Sequence, residues 1–179
     1  GITHKATLLI SEHLAVVETD NTTTSAAQFT GGSASAYGTA NYVNETISGN
    51  GGNDHLFQSL GNETLNGGDG IDTADYASHN GNVYVNLTAS TTTVGQVTVA
   101  GGTVVDGLLG LGTLQNIENI QTGLGNDVVL SDGPQARFIA THAGADSISA
   151  GAGNDTLDAG VGDDTVKAGA GDDLIEGGL

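Results

Sequence analysis

The feature that most constrains this chain is a unit of nine residues that recurs in register along two separated stretches. Each unit has glycine at its fourth place, an acidic residue at its sixth and usually an aliphatic residue at its eighth. The units are residues 49–57, 58–66, 67–75, 122–130, 141–149, 150–158, 159–167 and 168–176. A short fixed period is typical of architectures in which each unit buries its apolar side chain only by stacking on its neighbours. The chain is therefore predicted to be a stack of repeats.

The pattern resembles the RTX, or haemolysin-type, repeat Gly-Gly-x-Gly-x-Asp-x-aliphatic-x. Seven units keep the sixth-place aspartate, and the remaining unit carries Glu63 instead. The stretches GIDTADY, VYVNL and LQNIENIQTGLGND also resemble the spacer between RTX blocks in large bacterial secreted and surface proteins. The resemblance implies an all-β chain that folds as a parallel β-roll, a right-handed β-solenoid in which two units form one turn.

In such a roll, residues 18 apart stack, so acidic residues of successive turns lie together. Two carboxylates about 4.8 Å apart repel by about 3 kcal/mol at an effective dielectric of 20. A calcium ion between them reverses this, because calcium accepts carboxylates together with backbone carbonyls. Several calcium ions are expected. The predicted ligands are the side chains of Asp54, Asp72, Asp127, Asp146, Asp155, Asp164 and Asp173, with the loop backbone at Gly52, Gly70, Gly144, Gly153, Gly162 and Gly171.

Calcium binding is predicted to be part of folding. Each turn buries only two aliphatic side chains, such as Leu157 and Val166, which is too little to offset the entropy of ordering the backbone. The chain is expected to be largely disordered without calcium and folded with it. The acid-rich stretch 141–176 should bind most strongly, and 49–75 should hold one good site. The segment SDGPQARFI at 131–139 lacks the acid, which predicts a defective or missing site there.

Composition excludes several other classes of protein. The chain has 21 acidic residues against 3 basic ones, a formal charge of -18, so nucleic acid is not an expected partner. It has no cysteine, and therefore no disulfide to replace the metal. No apolar run is long enough to predict a membrane span. HExxH and GxSxG motifs are absent from this sequence, so it is not expected to be an enzyme.

The pattern divides the chain into four segments. Residues 1–48 are predicted to be a strand-rich cap or interaction segment, with strands near Leu8–Ile10 and Leu14–Val17. Residues 49–75 are the first block, and 76–121 are spacer strands or wider solenoid turns. Residues 122–179 are the second block, which is interpreted as truncated at its C-terminal end. Self-association through strand edges or solenoid ends is left open.

Two functions remain open from the sequence. The first is a structural or adhesive role at the bacterial cell surface, as part of an adhesin, surface layer or filament. The alternative is a calcium-dependent folding and export module of a secreted protease, lipase or epimerase. For either function the resemblance implies an extracellular or cell-surface location, reached through type I secretion as an unfolded chain. The two-block layout and the spacer favour the structural role.

Overall fold

The computed structural model of the protein describes residues 15–16, 26–28, 35–37, 46–58, 62–106 and 110–179. These residues contain strands, turns and bends and no helix. It follows that, in these ranges, no helix is long and apolar enough to cross a membrane. The predicted strand near Leu8–Ile10 lies outside the described residues.

The described residues form nineteen short strands. They are β1 Ala15–Val16, β2 Ala26–Gln28, β3 Ser35–Tyr37, β4 Thr46–Gly51, β5 His55–Phe57, β6 Thr64–Asp69, β7 Thr73–Asp75, β8 Val83–Asn86, β9 Thr92–Val94, β10 Val97–Val99, β11 Thr103–Asp106, β12 Gly110–Gln115, β13 Asn119–Gln121, β14 Val128–Leu130, β15 Phe138–Ala140, β16 Ser147–Gly151, β17 Thr156–Asp158, β18 Thr165–Gly169 and β19 Leu174–Glu176.

Two long sheets face each other and are built almost entirely of parallel strands. The eight-stranded sheet has the order β1-β3-β5-β7-β13-β15-β17-β19, and the nine-stranded sheet has the order β18-β16-β14-β8-β11-β12-β6-β4-β2. Most paired residues within the repeat blocks are 18 apart, as for Leu56 with Ala74 and Ile148 with Val166. The predicted parallel β-solenoid is confirmed.

Eighth-place aliphatic residues form the core between the two sheets. Leu56, Leu65, Ile139 and Leu157 are fully buried and belong to one apolar cluster. Alternation along each strand turns the next side chain outward, because successive side chains of a strand point to opposite faces. Because each unit has one inward-pointing residue, the positions of these residues determine which other residues of the unit lie at the turns.

Residues 15–16, 26–28 and 35–37 extend the same two sheets. The strand Ala15–Val16 pairs in parallel with β3, which pairs with β5, and β2 pairs with β4. These strands lie in the segment predicted as a cap or interaction region. Their pairing makes them further members of the stack.

The spacer between the blocks is a strand insertion that reverses direction. Strand β11 runs antiparallel to both β8 and β12 and lies between them, and β9 and β10 form a separate antiparallel hairpin. Strand β12 then pairs with β6, and β13 pairs with β7. The insertion therefore joins the two blocks into one continuous stack.

Candidate metal centres in the turn rows

The turns between the two sheets form two rows, one on each flank of the roll. The first turn row leads from the nine-stranded into the eight-stranded sheet, and the second turn row leads back. In the first turn row, the residues at the sixth place are Asp54, Asp72, Glu118, Arg137, Asp155 and Asp173; in the second turn row they include Glu63, Asp127, Asp146 and Asp164. All seven predicted aspartates thus lie in these two rows.

One oxygen of each stacked carboxylate holds the preceding turn in place. The Asp54 N–H donates to Oδ1 of Asp72 at 2.7 Å, and the Asp155 N–H donates to Oδ1 of Asp173 at 2.9 Å. In the second turn row, Asp127 N–H donates to Asp146 Oδ1 at 2.8 Å. The Asp146 N–H continues this ladder to Asp164 Oδ1 at 2.9 Å. The side chains therefore form two ladders that run along the roll.

The second oxygen of these carboxylates has no such donor. The Oδ2 atoms of Asp72, Asp155 and Asp164 are buried without a hydrogen-bond partner. The side chains of Asp72 and Asp127 are 0% exposed. A buried oxygen without a partner costs about 1–3 kcal/mol, and more when it carries charge. These repeated oxygens fit a bound cation.

Glycines bring backbone carbonyls close to the same oxygens. A side-chain carbon at Gly67 would overlap both the Asn116 carbonyl and Oδ2 of Asp72. Gly162 has a φ of 149°, which L residues rarely adopt, and a side chain there would overlap the Gly144 carbonyl. Only glycine therefore allows carboxylate and carbonyl oxygens to converge in these turns.

The donor set consists of oxygen atoms, and side chains alone do not complete it. In the described ranges, no three side chains of His, Cys, Asp or Glu converge on a common point. Calcium takes about six to eight oxygens and accepts backbone carbonyls and water as readily as carboxylates. A pair of stacked aspartates with the neighbouring loop carbonyls therefore fits calcium better than zinc, which prefers nitrogen and sulfur ligands.

A family model described as the RTX calcium-binding nonapeptide repeat (4 copies) matches residues 39–74, 138–166 and 158–179. The chain carries RTX calcium-binding repeats. No curated protein and no solved structure gives a significant match to the chain. The matched residues cover the first block up to residue 74 and the second block from residue 138, whereas the insertion and residues 122–137 lie outside them.

The matched repeats are described as calcium-binding, and repeats of this type are typical of secreted bacterial proteins. Such a roll is a structural repeat domain and not a catalytic one. When bound, calcium supplies positive charge between carboxylates that would otherwise repel one another. The row carboxylates and the loop carbonyls would provide the oxygens for it, and the ladder hydrogen bonds set the spacing of the turns.

Burial disfavours the ionised form of several RTX aspartates, and this favours the binding of a cation between them. It raises the pKa of Asp72 and of Asp155, although a backbone hydrogen bond opposes the rise in each case. Burial also raises the pKa of Asp146, and the charges of Asp127 and Asp164 add to the rise. A raised carboxyl pKa means that the ionised form is disfavoured in the fold. A cation between the turns relieves this cost.

The predicted ligands form two separate pairs in the first turn row, which other residues interrupt, and one ladder of three in the second turn row. In the first turn row, Asp54 lies with Asp72 and Asp155 lies with Asp173, but Glu118 and Arg137 separate the two pairs. In the second turn row, the ladder runs from Asp127 through Asp146 to Asp164.

The ladder of the second turn row ends at Asp127, because the residue opposite Asp127 in the insertion is Val83, which is not acidic. Oδ1 of Asp127 accepts the N–H of Val83 at 2.8 Å. Asp127 and Asp146 are 19 residues apart, yet they stack like the pairs that are 18 apart. The additional residue is accommodated in the turn between β14 and β15, because Val128 pairs with Ser147 but Phe138 pairs with Thr156.

Glu118 is a sixth-place acid that the nine-residue pattern did not identify. Its Oε2 accepts the N–H of Asp72 at 2.9 Å, which is the role that Oδ1 plays elsewhere in the row. The sequence does contain a signal, because Glu118 stands two residues before the buried Ile120, as Asp155 stands two residues before Leu157. The signal was missed because no glycine precedes Glu118 at the fourth place.

The segment 131–139 is in a different register from the predicted one. The sequence pattern places its sixth residue at Ala136, whereas the pairing of Phe138 with Thr156 places Arg137 opposite Asp155. The missing acid is therefore replaced by a buried arginine, which is 9% exposed.

Two histidines each lie against a buried aspartate of the same segment. In the insertion, His79 Nδ1 contacts Oδ2 of Asp106, and in the first block, His55 Nε2 lies 2.8 Å from Oδ2 of Asp75. Burial raises the pKa of Asp75, but the hydrogen bond from His55, the backbone hydrogen bond from Ala77 and the charge of His55 outweigh it, so that the pKa is lowered.

Proposed function

We propose that this chain is a calcium-folded structural segment of a bacterial cell-surface protein, such as an adhesin, a surface layer or a filament component. Its seven row aspartates and six loop glycines would hold several calcium ions between successive turns. Without the metal the repeat blocks would unfold, and with it they would form a stiff rod. The activity of the segment would thus be mechanical and not catalytic.

The observation that carries the calcium part is the division of roles between the two oxygens of a row carboxylate, seen at Asp72, Asp155 and Asp164. One oxygen accepts a backbone N–H of the neighbouring turn, as Oδ1 of Asp164 does from Asp146, and the other is buried without a partner. A solvated acidic loop would not bury the second oxygen. The repetition of this arrangement in both rows supports ions spaced along the roll.

The continuity of the roll supports a structural role. Strand β13 pairs with β7 of the first block and with β15, which leads into the second. The whole described stack would therefore transmit load along one axis. A net charge of -18 keeps such a rod soluble and makes its stiffness depend on calcium.

The same coupling supports type I export. A chain that is unfolded at low intracellular calcium could pass through the secretion system, and it would fold at the higher calcium concentration outside the cell. The alternative function, an export module of a secreted enzyme, uses this property as well. In the structural function the mature protein stays at the cell surface, whereas in the alternative it is released into the medium.

Antibodies raised against this chain, applied to fractions of the producing bacterium, distinguish the functions. We expect labelling of intact cells in calcium and strong loss of labelling after a chelator wash, with magnesium restoring none of it. Recovery of the antigen in the medium, in the same fractions as a hydrolase or epimerase activity, would support the enzyme module instead. An unrelated surface protein without these repeats serves as the control for the chelator wash.

A further inference from the structure

Arg137 occupies a place in the first turn row that acids occupy on both sides. Ile120 pairs with Ile139, and Phe138 pairs with Thr156, so that Glu118, Arg137 and Asp155 lie in successive turns. Arg137 is 9% exposed, which is rare for an arginine unless its charge is matched. The repeat pattern alone does not explain a cation at this position.

The contacts of Arg137 match those expected of a bound ion. Its Nη1 donates to the carbonyl of Ile117 at 3.1 Å and to that of Glu118 at 2.9 Å. Its backbone N–H donates to Oδ1 of Asp155 at 2.8 Å. The guanidinium therefore lies against loop carbonyls and between two carboxylate-bearing turns.

We infer that Arg137 is a resident cation that takes the place of calcium at the junction of the two blocks. Calcium itself does not fit this turn, because the residue at the sixth place brings a positive charge and no oxygen ligand. The arginine is covalently attached, so the junction stays neutralised at any calcium concentration. The row is thereby divided into two metal-binding segments, one on each side of a metal-independent turn.

The apolar core of the insertion and the turns next to it agrees with a junction that does not need the metal. Tyr76, Val83, Val104, Ile120 and Ile139 are all fully buried in the insertion and its neighbours. The centre thus has both a large apolar core and its own cation.

This inference rests on the proposed coupling of calcium to folding, and hydrogen exchange on the full chain tests the two separately. In chelator, we expect amides of β13 and β15 to exchange at least tenfold more slowly than those of β17 and β18. In calcium, all four strands should be protected. If β17 and β18 do not respond to calcium, the coupling itself fails, whatever the centre does.

Three variants of Arg137 test its role. In chelator, Arg137→Gln should lose most of the protection of β13 and β15, and Arg137→Lys should keep part of it. Arg137→Asp restores the sixth-place acid, so protection should be lost in chelator and recovered in calcium. The control is Lys167→Gln, which removes the same charge from an exposed position and should leave the centre unchanged.

The recovery of Arg137→Asp by calcium is specific to a resident cation, because a residue needed only for packing would not be replaced by an acid and a metal. Equal protection of the wild type and Arg137→Gln in chelator would overturn the inference. So would free exchange of β13 and β15 in the wild type without calcium.

Discussion

The backbone N–H of Asp155 donates a 2.9 Å hydrogen bond to Oδ1 of Asp173, one turn further along the roll. Oδ2 of Asp155 is buried and has no hydrogen-bond partner. One carboxylate oxygen of such a residue therefore sets the spacing of the turns, and the other is left for a cation. Substitutions that affect only one of these two roles separate them.

Asp155→Asn keeps an oxygen that can accept the Arg137 N–H but removes the charge. We expect it to raise the calcium midpoint of folding by about tenfold, which corresponds to about 1.4 kcal/mol. A calcium titration followed by far-UV circular dichroism measures the midpoint. The matched control is Asp158→Asn, which lies in strand β17 and outside the turn rows. Equal shifts in the two variants would contradict the assignment of Asp155 to the metal.

Gly162→Ala tests the close approach of successive turns. The φ of Gly162 is 149°, and a side chain would overlap the Gly144 carbonyl, so we expect a loss of about 1–3 kcal/mol in the stability of the calcium-bound fold. Denaturant unfolding in excess calcium gives this value. Gly177→Ala is the control, because nothing lies within 4 Å of a carbon added there, and it should change stability by less than about 0.5 kcal/mol. A similar loss in both variants would show that the stacked carbonyl does not matter.

Acid should act in opposite directions on the metal-free and the calcium-bound fold. Burial raises the pKa of Asp72, Asp146 and Asp155. Between the pKa of these groups in the unfolded chain and their raised pKa in the fold, the folded chain therefore binds more protons than the unfolded chain. The stability contributed by these protonated groups is therefore full below the unfolded pKa of about 3.9 and is lost as the pH rises through the raised values.

The two arms of the acid prediction are measured by circular dichroism. In calcium-free buffer, β signal should increase when the pH falls from 7 to 4. In calcium, the midpoint concentration should increase over the same range, because protons compete with the metal for the carboxylates. A calcium midpoint that does not change with pH would exclude these carboxylates as ligands.

The sequence predicted the parallel roll because its period encodes the fold directly. Glycine at the fourth place and an aliphatic residue at the eighth match the RTX repeat, and the two units per turn that this resemblance implies place Leu157 beside Ile175. The stacking of Asp155 on Asp173 followed from the same spacing. These features are local, and each is repeated several times.

Contacts between segments distant in sequence could not be predicted in the same way. The reversal of β11 between β8 and β12 depends on pairings across the insertion, which has no period. The shift that places Arg137 opposite Asp155 depends on one additional residue in a turn, and a single residue has no signature in a repeat pattern. Glu118 was missed for a related reason, because its partner Asp72 is 46 residues away.

Far-UV circular dichroism during a calcium titration from a chelated start, with magnesium at matched concentrations, tests the central claim most directly. The account predicts a cooperative gain of β signal with calcium and none with magnesium, above the signal that the central insertion retains in chelator. A chain that shows its full β signal in chelator and does not respond to calcium would contradict it.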